Sequence, residues 1–277
     1  MAGKIECYGY CAMNGRETIV EKNVKNSILL FLIVCFFPFS VFAWNTPGQD
    51  FSGELKLGGP VTSTRNPWVW KIGEGKSNLN VKHSPVSRSG DTVVPVSLPA
   101  MNLILGKTVL TTPAGREGLA PRIIFGKGIE DFSLVWAAPG VADVTLPVAG
   151  EGGRRVGHFT FRMQAAGLMR HVSNGQVTYT SIYDDVGGNG LPDKSHIMNS
   201  GQIPRLFQSM FNGEGPEWLS SMSVSSDTGV SHFSDTSLRQ IEGVYGAQTI
   251  ADTGELHLQE DKTECWNVSL PVSIEYQ

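Results

Sequence analysis

The sequence predicts an all-β protein, an antiparallel sandwich with one partly helical insertion. Short runs rich in β-branched and aromatic residues recur along the chain, with Gly, Pro, Asn or Asp between them, and this spacing is typical of a sandwich. One later segment instead places its apolar residues at helical spacing. The chain then ends in a segment that alternates apolar and polar residues.

The strand-forming runs predict the sheets of the sandwich. Prolines inside two of them, Pro95 and Pro147, suggest an edge strand or a bulge, because proline donates no hydrogen bond to a ladder. The runs are residues 68–72, 92–98, 122–125, 132–136, 143–148, 156–163 and 176–183.

Residues 184–226 have a different character and predict an insertion. A glycine-rich loop opens the segment, and "IPRLFQSMF" at 203–211 follows it. The apolar residues of that stretch recur at helical spacing, which predicts a helix. They are Ile203, Leu206, Phe207 and Met210.

The last residues predict a strand with one buried face, because the alternation of period two continues almost to the end of the chain. The residues that share this face are Trp266, Val268, Leu270, Val272, Ile274 and Tyr276.

The N-terminal residues predict export. Lysines precede an apolar stretch at 28–37, Pro38 follows it, and Val41 and Ala43 stand where a signal peptidase reads. The stretch is too short for a membrane anchor. We therefore expect residues 1–43 to be a presequence with a cleaved signal peptide, and the mature chain to run from Trp44 to the end.

The start of the presequence is itself unusual, because residues 1–23 fit neither a signal nor a domain. Translation that begins at Val24 would give a signal peptide of ordinary form. The true start is therefore expected at Val24.

The composition narrows the class of function. A mature chain of about 230 residues suits one large all-β domain. Only 17% of all residues are charged and the net charge is -4, so neither nucleic acid nor an anionic membrane is an expected partner. Cys265 is the one cysteine beyond the presequence. Its position beside Trp266 predicts a buried, inert thiol.

Catalytic and metal-binding patterns are weak. The six histidines are scattered, and Ser, His and Asp within 231–235 form no recognisable triad motif. The acidic, glycine-rich stretch 184–193 departs from a calcium-binding loop, so a solvated turn is favoured. We expect no enzyme activity, no cofactor and no metal.

The stretch "FSGELKLGGPV" at 51–61 alternates like a strand, although it lies close to the cleavage site. It would ordinarily be the first strand of the sandwich. An arm that is free to leave its own domain could instead add itself to the sheet edge of a neighbour. The candidate donor residues are Phe51, Gly53, Leu55, Leu57, Gly59 and Val61.

Both ends of the chain carry recognisable stretches, "WNTPGQDFSGELKLGGPVTSTRNPWVWKIGEG" at 44–75 and "CWNVSLPVSIEYQ" at 265–277. The first is similar to the mature N-terminus of Fae-type fimbrial subunits, and the second is similar to their C-terminal strand. Residues 245–260 resemble the segment before that strand more loosely. The resemblance is weak through the middle third of the chain.

The resemblance implies an incomplete immunoglobulin-like sandwich that is completed by donor-strand exchange. Residues 44–61 would be the donor arm, and residues 62–277 the pilin-type domain. A periplasmic chaperone would bind the C-terminal strand before an outer-membrane usher assembles the subunits. The arm of a neighbouring pilus subunit would then replace the chaperone, and the subunit would reach the surface fimbria.

The same resemblance leaves two functions open. The weak match in the insertion favours a minor structural subunit of an adhesive fimbria. The alternative is a carbohydrate-binding adhesin, in which aromatic rings of the insertion stack on host glycoconjugates. Those rings are Phe207, Phe211 and Trp218.

Overall fold

A computed structural model of the chain describes residues 66–76, 78–79, 81, 86–88, 91–188, 190–259 and 265–277. The chain divides into two units, residues 1–61 and residues 62–277, and the described residues belong to the second. The expected presequence and the expected donor arm lie outside the described residues. Within the described part, no helix is both long and apolar enough to cross a membrane.

Fourteen strands and one α-helix build the described part of the chain. The first seven strands are β1 (Trp68–Ile72), β2 (Val86–Arg88), β3 (Asp91–Val96), β4 (Asn102–Thr108), β5 (Thr112–Ala114), β6 (Pro121–Phe125) and β7 (Ser133–Ala138). The others are β8 (Val141–Ala149), β9 (Arg155–Ser173), β10 (Gln176–Tyr183), β11 (Ser226–Gly229), β12 (Arg239–Thr249), β13 (Gly254–Leu258) and β14 (Val272–Tyr276). The helix α1 is Ile203–Phe211, and short 3-10 helices span Glu151–Gly153, Lys194–His196, Glu217–Ser220 and Val230–Ser234.

The strands form a large sheet and a small one. The large sheet follows the order β1, β4, β12, β9, β13, β3, β2, and other strands pair at its flanks. The small sheet consists of β6 and β14. Pairing is antiparallel apart from β10 with β11, which run parallel. This architecture confirms the predicted all-β fold.

Strand β9 organises the large sheet because it is 19 residues long. Its first half pairs with β8 and β13, and its second half pairs with β10 and β12. The sequence predicted only its first half, residues 156–163. The second half contains Ala165, Ala166 and Gly167, whose small side chains break the alternation that identifies a strand.

Two apolar clusters stabilise the fold. The first lies between strands of the two sheets and includes Ile123, Val144 and Phe159. The second lies under α1, where Phe207 and Met210 pack against residues of β4, β9 and β12. The helix predicted at 203–211 is confirmed, and it buries its apolar face on a sheet.

The C-terminal segment differs in two respects from the prediction. The pairing of β14 with β6 begins only at Val272. Before it, Asn267 forms an isolated bridge to Ala149 of β8. Cys265 is exposed, so the prediction of a buried thiol is wrong. Side chains alternate in an extended segment, and the inward position of Trp266 therefore turns its neighbour outward.

Candidate functional site

Among the described residues, no strand pairs with one edge of the last strand, β14, and we call this the open edge. The other edge of β14 pairs with β6. The amide of Gly126 donates to the Pro271 carbonyl, and the amide of Gln277 donates to the Ala120 carbonyl. An antiparallel strand directs the backbone groups of alternate residues to the same side. The backbone groups of Val272, Ile274 and Tyr276 therefore point to the open edge.

The alternate side chains from Trp266 to Ile274 line the first apolar cluster, whereas Tyr276, predicted for the same buried face, is 39% exposed. Trp266 packs its ring against Phe159, with 5.6 Å between the ring centroids. The next alternate residues are partly buried against the same cluster, namely Val268, Leu270, Val272 and Ile274. The strand thus combines an apolar row with the open edge that no described strand pairs with.

An apolar groove of about 230 Å³ lies beside this segment. One side is formed by Val268, Leu270 and Val272, and the floor includes Phe159 and Phe161. The opposite side is the end of β1 together with the start of β4. It contributes Ile72, Gly73, Met101, Asn102 and Leu103.

The wall made by β1 and β4 depends on a close backbone approach. Gly73 donates its amide to the Leu103 carbonyl at 3.0 Å, and a Cβ on Gly73 would lie 1.6 Å from the backbone oxygen of Asn102. Only glycine fits there. Ile72 next to it keeps 63% of its surface exposed, so a large apolar side chain stands open at this wall.

At the C-terminal end of β14, a side-chain contact connects this strand with β1. Trp70 Nε1 donates a 2.8 Å hydrogen bond to the Tyr276 hydroxyl oxygen. The Trp70 ring lies over Gly106, where an added Cβ would come within 2.2 Å of it. The two walls of the groove are therefore connected at this end.

Charge on β14 is confined to the face away from the groove. The Glu275 carboxylate accepts a 2.7 Å hydrogen bond from Lys127 and lies 3.9 Å from Arg122. The hydrogen bond and charge of Lys127, followed by the charge of Arg122, hold the pKa of Glu275 below its ordinary value. The side chains that the C-terminal segment contributes to the groove, Val268, Leu270 and Val272, are all apolar, and among the described residues charge enters the lining only from Glu74 and Lys76.

The other edge of β6 is covered by the glycine-rich loop. Gly190 donates its amide to the Ile123 carbonyl at 2.6 Å, and the buried Tyr245 hydroxyl donates to the Gly190 carbonyl at 2.6 Å. Burial raises the pKa of Tyr245, which keeps it a neutral donor. Part of this loop is therefore structural, and no local sequence pattern indicates the role of Tyr245.

The acidic residues of this loop serve local turns. Asp184 accepts hydrogen bonds from the amides of Val186 and Gly187, and Asp193 caps a 3-10 helix. Hydrogen bonds from Ser195 and then His196 lower the pKa of Asp193 to about 2. In the part of the chain that is described, no three His, Cys, Asp or Glu side chains are grouped to hold a metal.

The three aromatic residues considered for receptor binding differ in how deeply they are buried. Phe207 and Phe211 belong to the second apolar cluster and are buried. Trp218 is partly buried against the same cluster and packs on Tyr179, with 5.7 Å between the centroids. Carbohydrate binding by these rings stays a prediction. Phe207 and Phe211 lie on the packed face of α1, and Trp218 lies on the 3-10 helix Glu217–Ser220.

The candidate donor residues cannot be placed beside the groove. Phe51, Gly53, Leu55, Leu57, Gly59 and Val61 all lie outside the described residues. The structure therefore describes the groove and β14 but not these residues, and the role of the arm stays a prediction.

Comparison with known proteins gives two consistent matches. The family model described as "Fimbrial, major and minor subunit" matches residues 24–277. The K88 minor fimbrial subunit FaeI of Escherichia coli is 60% identical over 254 residues, which cover 92% of this chain and 100% of that protein.

Proposed function

The chain belongs to the family of major and minor fimbrial subunits, and from this we propose that it is a minor structural subunit assembled by donor-strand complementation. The family consists of structural subunits, so we assign no catalytic role. The curated relative is a minor subunit, which supports the assignment of this chain as a minor subunit. The subunit contributes to an adhesive fimbria at the cell surface.

The open edge of β14 beside an apolar groove is the observation that carries the proposal. An unpaired edge presents a row of amides and carbonyls that another extended chain can pair with. The groove next to it accepts alternate side chains of such a strand. A neighbouring subunit provides the strand in the fibre, and this chain provides its own residues 44–61 to the next subunit.

Burial of apolar side chains makes this linkage persistent. Phe51, Leu55, Leu57 and Val61 each contribute about 1.5 to 3 kcal/mol on full burial. Their sum, about 6 to 12 kcal/mol, is offset in part by the entropy lost when the arm becomes ordered. Backbone hydrogen bonds along β14 add to the remainder, and slow dissociation adds kinetic stability.

A chaperone is needed before assembly, because an open edge and an apolar groove favour aggregation. We propose that a periplasmic chaperone binds the row from Trp266 to Tyr276 and fills the groove. An outer-membrane usher then exchanges the chaperone for the arm of a neighbouring subunit. Export through the periplasm follows from the signal peptide expected in residues 1–43.

Deletion of residues 44–61 tests the donor half of the proposal. The truncated chain and the full chain are each co-expressed with the chaperone and the other fimbrial proteins, and sheared fibres are probed with an antibody against this subunit. We expect the truncated chain to be exported but not to become linked to a further subunit, because it has no arm to donate. Normal fibre length and composition with the truncated chain would overturn the proposal.

A second variant separates the arm's chemistry from its length. Phe51, Leu55 and Leu57 are changed to Ser, which keeps the backbone and removes the apolar row. We expect the same defect as for the deletion, because side-chain burial holds the arm in place. The control is Lys56→Ser, whose side chain lies on the opposite face of an extended arm.

A further inference from the structure

The hydrogen bond between Trp70 and Tyr276 joins two strands that do not pair with each other. Trp70 lies on β1, at an edge of the large sheet, and Tyr276 lies on β14, in the small sheet. Their side chains meet at 2.8 Å between Nε1 and the hydroxyl oxygen. Ile72 of β1 and Val272 of β14 both line the groove, so this contact connects the two strands beyond the end of the groove.

The Trp70 indole is held firmly by its neighbours. It stacks on Trp68, with 5.3 Å between the centroids and 14° between the planes, and lies 6.0 Å from the Tyr245 ring. Gly106 beneath it leaves room for the ring. An indole packed on three sides has little rotamer freedom, so its N–H group has a fixed direction.

The backbone that carries Tyr276 is also fixed. Its neighbour Gln277 donates to the Ala120 carbonyl at 3.0 Å and accepts from the Gly118 amide at 2.7 Å. Tyr276 itself is 39% exposed. Its ring is therefore positioned by the strand end, and the hydrogen bond from Trp70 is the polar contact that fixes the hydroxyl.

We propose that Trp70 and Tyr276 form a clasp that sets the spacing of the groove walls and retains an inserted strand. The inference rests on the proposed function. Two strands that flank one further strand are separated by about twice 4.8 Å. The Trp70 and Tyr276 side chains, which meet through the indole N–H and the hydroxyl, together span the gap between these two strands. The clasp then holds β14 at the distance at which a third strand pairs with it.

The clasp affects the release rate of an inserted strand more than it affects the stability of the fold. The hydrogen bond lies at an exposed position and Tyr276 is 39% exposed, so water can replace the hydroxyl at the indole N–H. Loss of the contact frees the end of β14 to move away from β1, and the inserted strand is released faster. A net hydrogen bond of about 0.5 to 1.5 kcal/mol corresponds to about a two- to tenfold change in rate.

The release rate of a bound strand tests this inference. The full chain, freed from its chaperone and kept dilute, is loaded with a fluorescent peptide of the sequence 44–61, and release is followed after excess unlabelled peptide is added. We expect Tyr276→Phe to release the peptide about two- to tenfold faster. The control Tyr183→Phe removes a hydroxyl from β10, away from the groove, and should release it at the wild-type rate.

A double-mutant cycle identifies the partner. We expect Trp70→Phe to accelerate release as well, and the double variant to be no faster than the faster single variant, because both remove the same contact. Additive effects would contradict a clasp between these two residues.

The outcomes separate the clasp from the proposed function. If wild-type protein binds no peptide, the strand-acceptor function fails. If it binds but Tyr276→Phe releases the peptide at the wild-type rate, the clasp is wrong and the acceptor function stands. A variant that only lowers the melting temperature of the empty chain, with unchanged release, would also overturn the clasp.

Discussion

The side-chain amide of Asn102 donates a 2.8 Å hydrogen bond to the carbonyl oxygen of Met210. Asn102 lines the groove at the start of β4, and Met210 lies in the last turn of α1. Carbonyls in the last turn of a helix have no partner within the helix, so this amide satisfies one of them. The contact ties the insertion to a wall of the groove.

Replacement of this amide should loosen the wall. Asn102→Ala leaves the Met210 carbonyl without its donor, and we expect a loss of about 1 to 2 kcal/mol in the free energy of unfolding. Urea unfolding measures the loss. The control Asn199→Ala, at an exposed position, should change stability by less than about 0.5 kcal/mol. Equal effects of the two substitutions would show that the contact with the helix contributes nothing.

A methyl group at Gly73 should push β1 away from β4. Its Cβ would lie 1.6 Å from the Asn102 backbone oxygen, so the backbone must move, at a cost of about 1 to 3 kcal/mol. Gly75→Ala is the matched control, because nothing lies within 4 Å of its Cβ. Urea unfolding of both variants checks this, and a Gly73→Ala chain as stable as Gly75→Ala would contradict the close approach.

Removal of the Tyr245 hydroxyl should release the loop that covers β6. Tyr245→Phe leaves the Gly190 carbonyl without its buried donor, at a cost of about 1 to 3 kcal/mol. We expect faster hydrogen exchange at the Gly190 amide, which pairs with Ile123. Unchanged exchange there would show that the hydroxyl does not hold the loop.

Acid should destabilise the fold through His171. Burial, then the neighbouring His232, lowers the pKa of His171, and Asp235 opposes the shift less strongly. The unfolded state, with a His pKa of about 6.5, therefore takes up a proton at a higher pH than the folded state does. The free energy of unfolding should be unaffected by this group above a pH of about 6.5 and should fall as the pH decreases towards the folded pKa.

The size of the acid effect follows from the size of the shift, at about 1.4 kcal/mol for each pKa unit. Urea unfolding at several pH values between about 5 and 8 measures it in wild type and in His171→Gln. We expect the variant to lose part of the decrease below about pH 6.5. A variant with the same pH dependence as wild type would assign the effect to other groups.

Local patterns in the sequence predicted much of the fold. The helix α1 was predicted at its observed bounds because helical spacing is set by neighbours within four residues. Strands β1 and β10 were found because β-branched and aromatic residues are concentrated in them. Strand β4 was missed, because three of its seven residues in succession are buried, Ile104, Leu105 and Gly106, and such runs do not alternate.

The site was less predictable than the fold. The apolar row from Trp266 to Ile274 follows from sequence alone, and the structure places it on the first cluster. The sequence alone does not predict the open edge of β14, because that edge depends on which strands of the whole domain pair with β14. The Trp70 contact with Tyr276 joins residues 206 positions apart, and no local pattern connects them.

Residue-resolved hydrogen exchange on β14 most directly tests whether this subunit accepts a strand from another molecule. The dilute monomer, freed from its chaperone, is compared with the subunit in assembled fibres. We expect the amides of Val272, Ile274 and Tyr276 to become protected on assembly, while Ser273 and Glu275, which face β6, are protected in both. Protection of all five in the monomer, or exposure of the first three in the fibre, would contradict strand acceptance from a neighbour.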